Sequence, residues 1–177
     1  MTQFRSSTEV DARPSGNQYM LSSVKVQVPE GGAKMSSDQI EIQELVHRYC
    51  DALCQRDRDA WVATFAEDGM WNSGRGEVVG RDELSDAFLR VMELFEHVLQ
   101  LTHNGEVKVE GDTAHGRWYV TEYGLTAKGR RTFYIAHYDD EYRRTIEGWR
   151  FTRRIVTWHY HGEPDLTGTF GPPPGYT

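Results

Sequence analysis

The spacing of apolar residues changes once along this chain, and the change divides it into a helical part and a stranded part. Up to His97 the apolar residues recur at intervals of three and four, as they do on one face of an α-helix. After His97 they alternate with polar residues, as they do in a half-buried β-strand. Glycine-containing turns separate the stranded segments, which predicts antiparallel pairing. Helices that precede such a sheet are typical of the α+β class.

Three helices are predicted in the first part. The first begins at Asp38, which forms a variant of the capping box with Glu41, and it runs to about Cys54. Asp57 is placed to cap a shorter second helix, and the third opens at residues 80–82. The apolar positions of each helix fall on one face, so all three are expected to pack on the sheet.

Five strands are predicted. A short strand begins at Met70 and Trp71, and a glycine-rich loop follows it at residues 72–76. The four long strands cover residues 98–109, 113–125, 131–145 and 149–160. A strongly curved antiparallel sheet of this length, closed by about three N-terminal helices, forms a cone around a central pocket.

The chain divides into three parts by composition. Residues 1–35 are rich in Ser, Gly, Pro and Gln and are expected to form an arm that is flexible or swapped between copies. Within it, residues 23–28 alternate like a strand that could add to a sheet edge. Residues 36–161 are the predicted domain, and residues 162–177 form a Pro-rich tail that is expected to be irregular.

Composition and charge exclude several classes of function. The chain has 177 residues, enough for one domain, and 12% of them are aromatic, which suits a large core or an aromatic pocket. Its 27 acidic and 20 basic residues give a net charge of −7, which argues against a nucleic-acid partner. No apolar run approaches the roughly 20 residues that span a bilayer, so no membrane partner is expected.

The sequence gives little support for a metal site. Cys50 and Cys54 lie four apart on a predicted helix, and no second pair completes a zinc site. Free thiols are typical of the reducing cytoplasm, which is the expected location. His159 and His161 alternate on the last strand, but two ligands without a fitting carboxylate are a weak signal. We therefore expect no metal and no cofactor, and we expect both histidines and His137 at the surface or the pocket rim.

Four segments resemble, in their order, the SnoaL-like proteins of the NTF2-like superfamily. They are residues 42–71, which include Phe65-Ala66-Glu67-Asp68-Gly69-Met70-Trp71, and residues 104–114, 138–142 and 148–154. The resemblance extends over roughly residues 38–160. Within the superfamily, the pattern of residues is most similar to those of scytalone dehydratase, bile acid 7α-dehydratase and hexachlorocyclohexane dehydrochlorinase. It implies the NTF2-like cone and a pocket for a mostly apolar small molecule.

The resemblance also implies a catalytic pair that this chain lacks. In the lyase relatives an Asp at the end of the first helix orients a His on the first long strand, and the His takes the proton. Those positions fall on Cys54 and Gln100. A bulge or a one-residue slip would bring His103 to the pocket; otherwise His103 points outward or packs in the core. Cys54 is either a thiolate nucleophile or a small buried filler.

Strand alternation suggests other catalytic residues. If Gln100 and Asn104 face inward, Glu122 also lies in the apolar cone, where burial raises the pKa of a carboxylate and makes it a usable general acid or base. Arg154 is expected near Glu122, either as a structural ion-pair partner or as a group that lowers its pKa again. Tyr49 matches the pocket tyrosine of the dehydratases, and it either donates to a leaving oxygen or packs in the core.

The same reasoning predicts a binding wall that is rich in aromatic side chains, which stack well on planar ligands. The candidates for substrate binding are Cys54, Trp71, Gln100, Asn104, Trp118, Tyr138 and Trp158. The candidates for catalysis are Tyr49, Glu122, Arg154 and His103.

The resulting functional hypothesis is a cofactor-independent lyase of the dehydratase or elimination type, acting on a hydrophobic, aromatic or polycyclic small molecule. An isomerase or cyclase could use the same pocket, and the missing Asp–His pair keeps a non-catalytic binding protein open. The outward face of the sheet carries Tyr119, Tyr123 and Phe133. Because such a face would be a large apolar patch if left bare, a homodimer or homotrimer is expected.

Overall fold

The computed structural model describes residues 35–165, residue 167 and residues 169–170. In this part of the chain three helices and seven strands follow one another, and the predicted α+β class is confirmed. The helices are α1 (Ser37–Gln55), α2 (Arg58–Ala63) and α3 (Arg81–Met92). The strands are β1 (Phe65–Asn72), β2 (Glu77–Val79), β3 (Phe95–Glu110), β4 (Thr113–Thr126), β5 (Arg131–Thr145), β6 (Gly148–Gly162) and β7 (Thr169–Phe170).

Helix α1 begins earlier than predicted. Ser36, not Asp38, is its cap: the Ser36 hydroxyl accepts from the Gln39 amide, and the Gln39 side chain accepts from the Ser36 amide. This reciprocal capping box satisfies two backbone donors that would otherwise be unpaired. Asp38 lies in the first turn and pairs with Arg144 at 2.6 Å. Asp57 caps α2 as predicted, accepting from the Ala60 amide at 2.9 Å.

The sheet has the order β2-β1-β6-β5-β4-β3, and β7 pairs with the end of β6 that extends beyond β1. The four long strands pair antiparallel, as predicted; β1, whose partner the sequence did not indicate, runs antiparallel to β2 and parallel to β6. The chain between β1 and β6 contains a helix and four other strands. No tight turn therefore enforces an antiparallel approach there.

Strand β3 contains a bulge between Thr102 and Gly105. Three residue steps along β3 there lie opposite only two steps along β4. Gly105 packs against the ring of Trp118, and a methyl group at this position would overlap that ring. A bulge bends a strand and redirects the side chains beside it. Here it curves β3 around the helices.

The tail differs in part from the prediction, whereas the predicted arm is not tested by the structure. β6 extends to Gly162, and Thr169–Phe170 form β7 by pairing with Tyr160 and His161, so the tail is not wholly irregular. The arm predicted at residues 1–35 lies, except for Met35, outside the described residues.

The three helices cover the concave face of the sheet and form the core with it. The fully buried residues include Ile42, Leu45, Trp61, Phe65 and Phe151. This is the cone closed by helices that the sequence predicted. Within the described residues, no helix combines the length and apolar character that crossing a bilayer requires.

Candidate functional site

A cavity of about 350 Å³ lies between the helices and the inner face of β4, β5 and β6. Most of its wall is apolar, which is typical of sites for small molecules. The lining residues are Leu53, Trp61, Trp71, Ser73, Gly74, Arg75, Phe88, Val91, Met92, Leu94, Phe95, Glu122, Arg130, Tyr134, Tyr138, Val156, Trp158 and His161.

The aromatic part of the wall comes from β1, β5 and β6. Trp71 is buried, whereas Trp158 is 36% exposed and packs against Tyr134 with 5.0 Å between ring centroids. Gly74, in the loop after β1, lies so close that a methyl group there would come within 2.9 Å of the Trp158 indole nitrogen. Its φ of 83° also favours glycine. The loop can therefore lie directly over Trp158 at the edge of the cavity.

Glu122 is the single carboxylate among the described residues of the wall. Burial raises its pKa to about 7, and a hydrogen bond from Gln100 Nε2 to Glu122 Oε2, at 2.9 Å, acts in the opposite direction. The predicted pairing of Glu122 with Arg154 is wrong, because Arg154 pairs with Asp140 instead, at 3.4 Å. Among the described residues no cation forms an ion pair with Glu122, and burial is the cause of its raised pKa.

Gln100 is held in one orientation by its neighbours. Its Nε2 donates to Glu122 and approaches the Tyr138 hydroxyl at 3.4 Å, while its Oε1 accepts from Cys50 Sγ at 3.3 Å. Cys50 Sγ also contacts Thr102 Oγ1 at 2.7 Å, and burial raises the pKa of the Cys50 thiol. The amide thus presents its N–H side to Glu122, where it stabilises the ionised carboxylate.

Cys54 and Gln100, the two positions to which the resemblance assigns the missing Asp–His pair, are in contact. Cys54 Sγ lies 3.2 Å from the Gln100 backbone nitrogen and 3.4 Å from its carbonyl oxygen. Cys54 does not line the cavity. Its sulfur fills the space between α1 and β3. Of the two residues, only Gln100 contacts Glu122.

Arg154 and Tyr49 form a buried layer behind Tyr138 and do not line the cavity. The Arg154 guanidinium lies 4.1 Å from the ring centre of Tyr49 and 3.9 Å from that of Tyr138. Phe151 closes this cage at 4.4 Å. Burial raises the pKa of both tyrosines, and the positive charge of Arg154 opposes that rise. Arg154 and Tyr49 can therefore act on a ligand only through Tyr138.

The structure places three other predicted site residues away from the cavity. Trp118 is buried beyond it, and its Nε1 donates to the Tyr142 hydroxyl at 2.9 Å. His103 and Asn104 are exposed, and His103 Nε2 contacts Thr121 Oγ1 at 2.9 Å on the outer face. A bulge is present, but His103 keeps the outward direction that alternation from Gln100 gives it, and Asn104 within the bulge is exposed.

The outer face of the sheet holds a second polar cluster. His137 is 3% exposed, so the prediction that it lies at the surface is wrong. Its Nδ1 lies 2.8 Å from His159 Nε2, and its Nε2 lies 3.1 Å from Asp139, which also binds Arg117. Among the described residues, no three His, Cys, Asp or Glu side chains are grouped as a metal site would require.

Sequence reasoning missed Arg75 and Arg130, which line the cavity and are exposed. Arg75 lies in the loop after β1, and Arg130 lies in the turn before β5. Alternation carries no information about such positions, because loop residues do not follow the period of a strand. The glycines beside them, Gly74, Gly76 and Gly129, were the available signal that the chain turns there.

The chain is similar to known proteins in both sequence and fold. The SnoaL-like domain family matches residues 34–155. An uncharacterized protein of Mycobacterium tuberculosis is 32% identical over 125 residues, which are 68% of this chain and 85% of that protein.

Two solved structures share the fold with a TM-score of 0.67. One, from Novosphingobium aromaticivorans and provisionally named an aromatic ring hydroxylase, is 32% identical and covers 75% of this chain and 93% of its own. The other, the hexachlorocyclohexane dehydrochlorinase LinA-type3 from Novosphingobium barchaimii, is 21% identical and covers 77% of this chain and 94% of its own. The chain therefore belongs to the SnoaL-like family of the NTF2-like superfamily.

Proposed function

We propose that this protein is a cofactor-independent lyase that eliminates a small leaving group from a hydrophobic, aromatic or polycyclic molecule in the cavity. The observation that carries the proposal is Glu122: the single carboxylate among the described residues of a mostly apolar wall, with its pKa raised by burial to about 7. A general base works best when its pKa lies near the working pH. Desolvated carboxylates of this kind are concentrated at active sites.

In the proposed reaction, ionised Glu122 removes a proton from a carbon next to the one that carries the leaving group. The C–H electron pair forms a carbon–carbon double bond, and the leaving group departs with the electrons of its own bond. When the leaving group is hydroxide, it takes a proton and departs as water; halide needs none. Glu122 then releases its proton to solvent, and the group that protonated a leaving oxygen takes a proton back from solvent, so that both are ready for the next turnover.

Tyr138 is the proposed proton donor to a leaving oxygen. Its ring lines the cavity, and its hydroxyl lies 3.4 Å from Gln100 Nε2, on the same side as Glu122. Burial raises the pKa of the Tyr138 phenol, and the positive charge of Arg154 behind the ring offsets part of that rise. This assigns Tyr49 and Arg154 a positioning role behind Tyr138.

The shape of the wall and the names of two relatives support the kind of substrate. Trp71, Tyr134 and Trp158 offer ring faces and edges that suit a planar ligand. A relative 32% identical is provisionally named for action on aromatic rings. The fold relative from Novosphingobium barchaimii is named as a dehydrochlorinase, and loss of hydrogen chloride is an elimination of the proposed type.

An isomerase is the second candidate, because Glu122 could return the proton to another carbon of the substrate without a leaving group. The absence of the Asp–His pair, replaced by Cys54 and Gln100, favours a non-catalytic binder as the third. The products separate the first two candidates, since only the lyase releases water or halide. Turnover that depends on Glu122 separates both from the binder.

The test uses a panel of naphthalene compounds with a β-hydroxyl or β-chloro carbonyl side chain, in which elimination creates a conjugated double bond that absorbs in the near ultraviolet. We expect kcat/KM to rise with pH through about 7, because Glu122 must be ionised to act as a base. Glu122→Gln keeps the shape and removes the base, so it should reduce turnover by about 10²–10⁴.

Two variants make the test specific. Glu96→Gln alters an exposed carboxylate of β3 and should leave turnover unchanged. Gln100→Leu removes the hydrogen bond that lowers the pKa of Glu122, so the rising limb of the pH profile should move to higher pH. A Glu122→Gln variant with full activity would refute the proposal, and so would a pH profile that Gln100→Leu leaves in place.

A further inference from the structure

The edge of the cavity carries two arginines that have no acidic partner among the described residues. Arg75 and Arg130 are both exposed and both line the cavity. The Arg130 backbone amide bonds Thr126, but neither guanidinium forms an ion pair or a hydrogen bond within the described part of the chain. Both therefore remain free to bind a ligand.

Acids outnumber bases in this chain, and most of its described arginines are paired with them. Eight described arginines form ion pairs: Arg58, Arg81, Arg117, Arg143, Arg144, Arg150, Arg153 and Arg154. Arg48, Arg56, Arg90 and Arg131 also lack an ion pair in the described part of the chain, but none of them lines this cavity, and Arg56 donates to the backbone carbonyls of Met92 and Phe95. The two arginines at the cavity edge thus combine an unpaired cation with access to a bound molecule.

The register of the strands shows in which direction the cavity extends along the sheet. Glu122 pairs with Tyr134, and Tyr134 pairs with His161, so these three residues lie at one level of the sheet. Arg130 precedes Tyr134 by four residues, which corresponds to about 13 Å of extended strand. Tyr138 lies on the opposite side of that level. The cavity thus extends from Tyr138, past Glu122, toward Arg130, and Arg75 also lines it from the loop after β1.

We propose that the ligand of this cavity carries an anionic group, such as a carboxylate, at the end opposite its reacting carbon, and that Arg75 and Arg130 bind that group. The inference rests on the proposed function for the identity of the reacting end. Guanidinium groups bind carboxylates through paired hydrogen bonds. The volume of about 350 Å³ is near the lower limit for ligand pockets, so the occupant is a compact ring system with a short charged substituent.

The test compares three probes by isothermal titration calorimetry with the full-length protein: 2-naphthoate, the neutral 2-naphthamide and 2-naphthyl phosphate. We expect 2-naphthoate to bind at least about tenfold more tightly than 2-naphthamide, with a preference that weakens as salt is raised. The Arg75→Gln/Arg130→Gln variant should lose this preference and still bind 2-naphthamide. Arg90→Gln, which changes an unpaired arginine outside the cavity, should keep it.

The outcomes separate this inference from the proposed function. Calorimetry requires no turnover, so Glu122→Gln should retain the preference for the anion even though its activity is lost. Tighter binding of 2-naphthyl phosphate than of 2-naphthoate would identify a phosphoryl group as the natural anion. Equal binding of 2-naphthoate and 2-naphthamide, binding of none of the probes, or an unchanged preference in the double variant would each overturn the inference.

Discussion

Replacing Glu122 by glutamine should make the folded protein more stable at alkaline pH, although the same change removes the proposed base. Burial raises the pKa of this carboxyl from its ordinary 4.5 to about 7. The folded protein therefore binds the proton more tightly than the unfolded chain does. Its favourable contribution is complete below about pH 4.5 and is lost as the pH rises through 7. Above pH 7 the folded wild type holds an ionised group in an apolar wall.

The structure also gives the size of the effect. A tenfold change in an acid constant corresponds to about 1.4 kcal/mol, so ionised Glu122 costs the folded protein about 3 kcal/mol above pH 7. Water that enters through the open edge of the cavity screens part of this cost. We therefore expect Glu122→Gln to raise the free energy of unfolding by about 1 to 3 kcal/mol at pH 8.5, and by less than about 1 kcal/mol at pH 5.

Urea denaturation followed by circular dichroism at both pH values, at one ionic strength, measures this difference. Glu96→Gln is the matched control, because Glu96 is exposed and should show the same stability as the wild type at either pH. Equal unfolding free energies of Glu122→Gln and the wild type at pH 8.5 would refute the reasoning, since they would mean that ionised Glu122 is well solvated.

Two further predictions concern the sheet. Gly105→Ala should lower the free energy of unfolding by about 1 to 3 kcal/mol, because the added methyl group overlaps the Trp118 ring. Asn104→Ala, at an exposed neighbouring position, is the control. Equal urea midpoints for the two variants would contradict the prediction that the methyl group overlaps the ring. The chain should form a homodimer or homotrimer at micromolar concentration through the outer face, where Leu101 and Tyr123 are 42% and 45% exposed. Light scattering should show that oligomer for the wild type and a monomer for a variant with lysine at both positions; a wild-type monomer would exclude it.

The alternation of polar and apolar residues along the strands predicted the face of the sheet on which each side chain lies. It placed Gln100, Glu122 and Tyr138 on the concave face, where the structure has them, because the side chains of a strand alternate strictly between two faces. It gave no information about depth. Arg154 occupies the same face, yet it lies behind the cavity wall, because the helices pack closely at that end of the cone and leave space only at the other.

The features that the sequence did not predict depend on contacts between distant segments. The parallel pairing of β1 with β6 has no local signature, since each strand looks the same whichever direction its neighbour runs. The bulge near Gly105 reversed the expected orientation of Asn104 within a segment whose pattern of polar residues continues without a break. Arg75 and Arg130 both line the cavity only because two unrelated turns of the chain end beside it.

The pairing of β1 with β6 also determines when this protein can fold during its synthesis. β1 leaves the ribosome early, whereas its partner is made only after α3 and the hairpins of β3, β4 and β5. Until then Trp61 and Trp71 have no completed sheet to pack on, so the nascent chain exposes the aromatic surface that later surrounds the cavity. Contacts between distant segments slow folding, because a long loop must close before they form. Before β6 is made, the new chain therefore exposes aromatic side chains that later line the cavity. A chaperone that binds exposed apolar surface would be of most use to it at this stage.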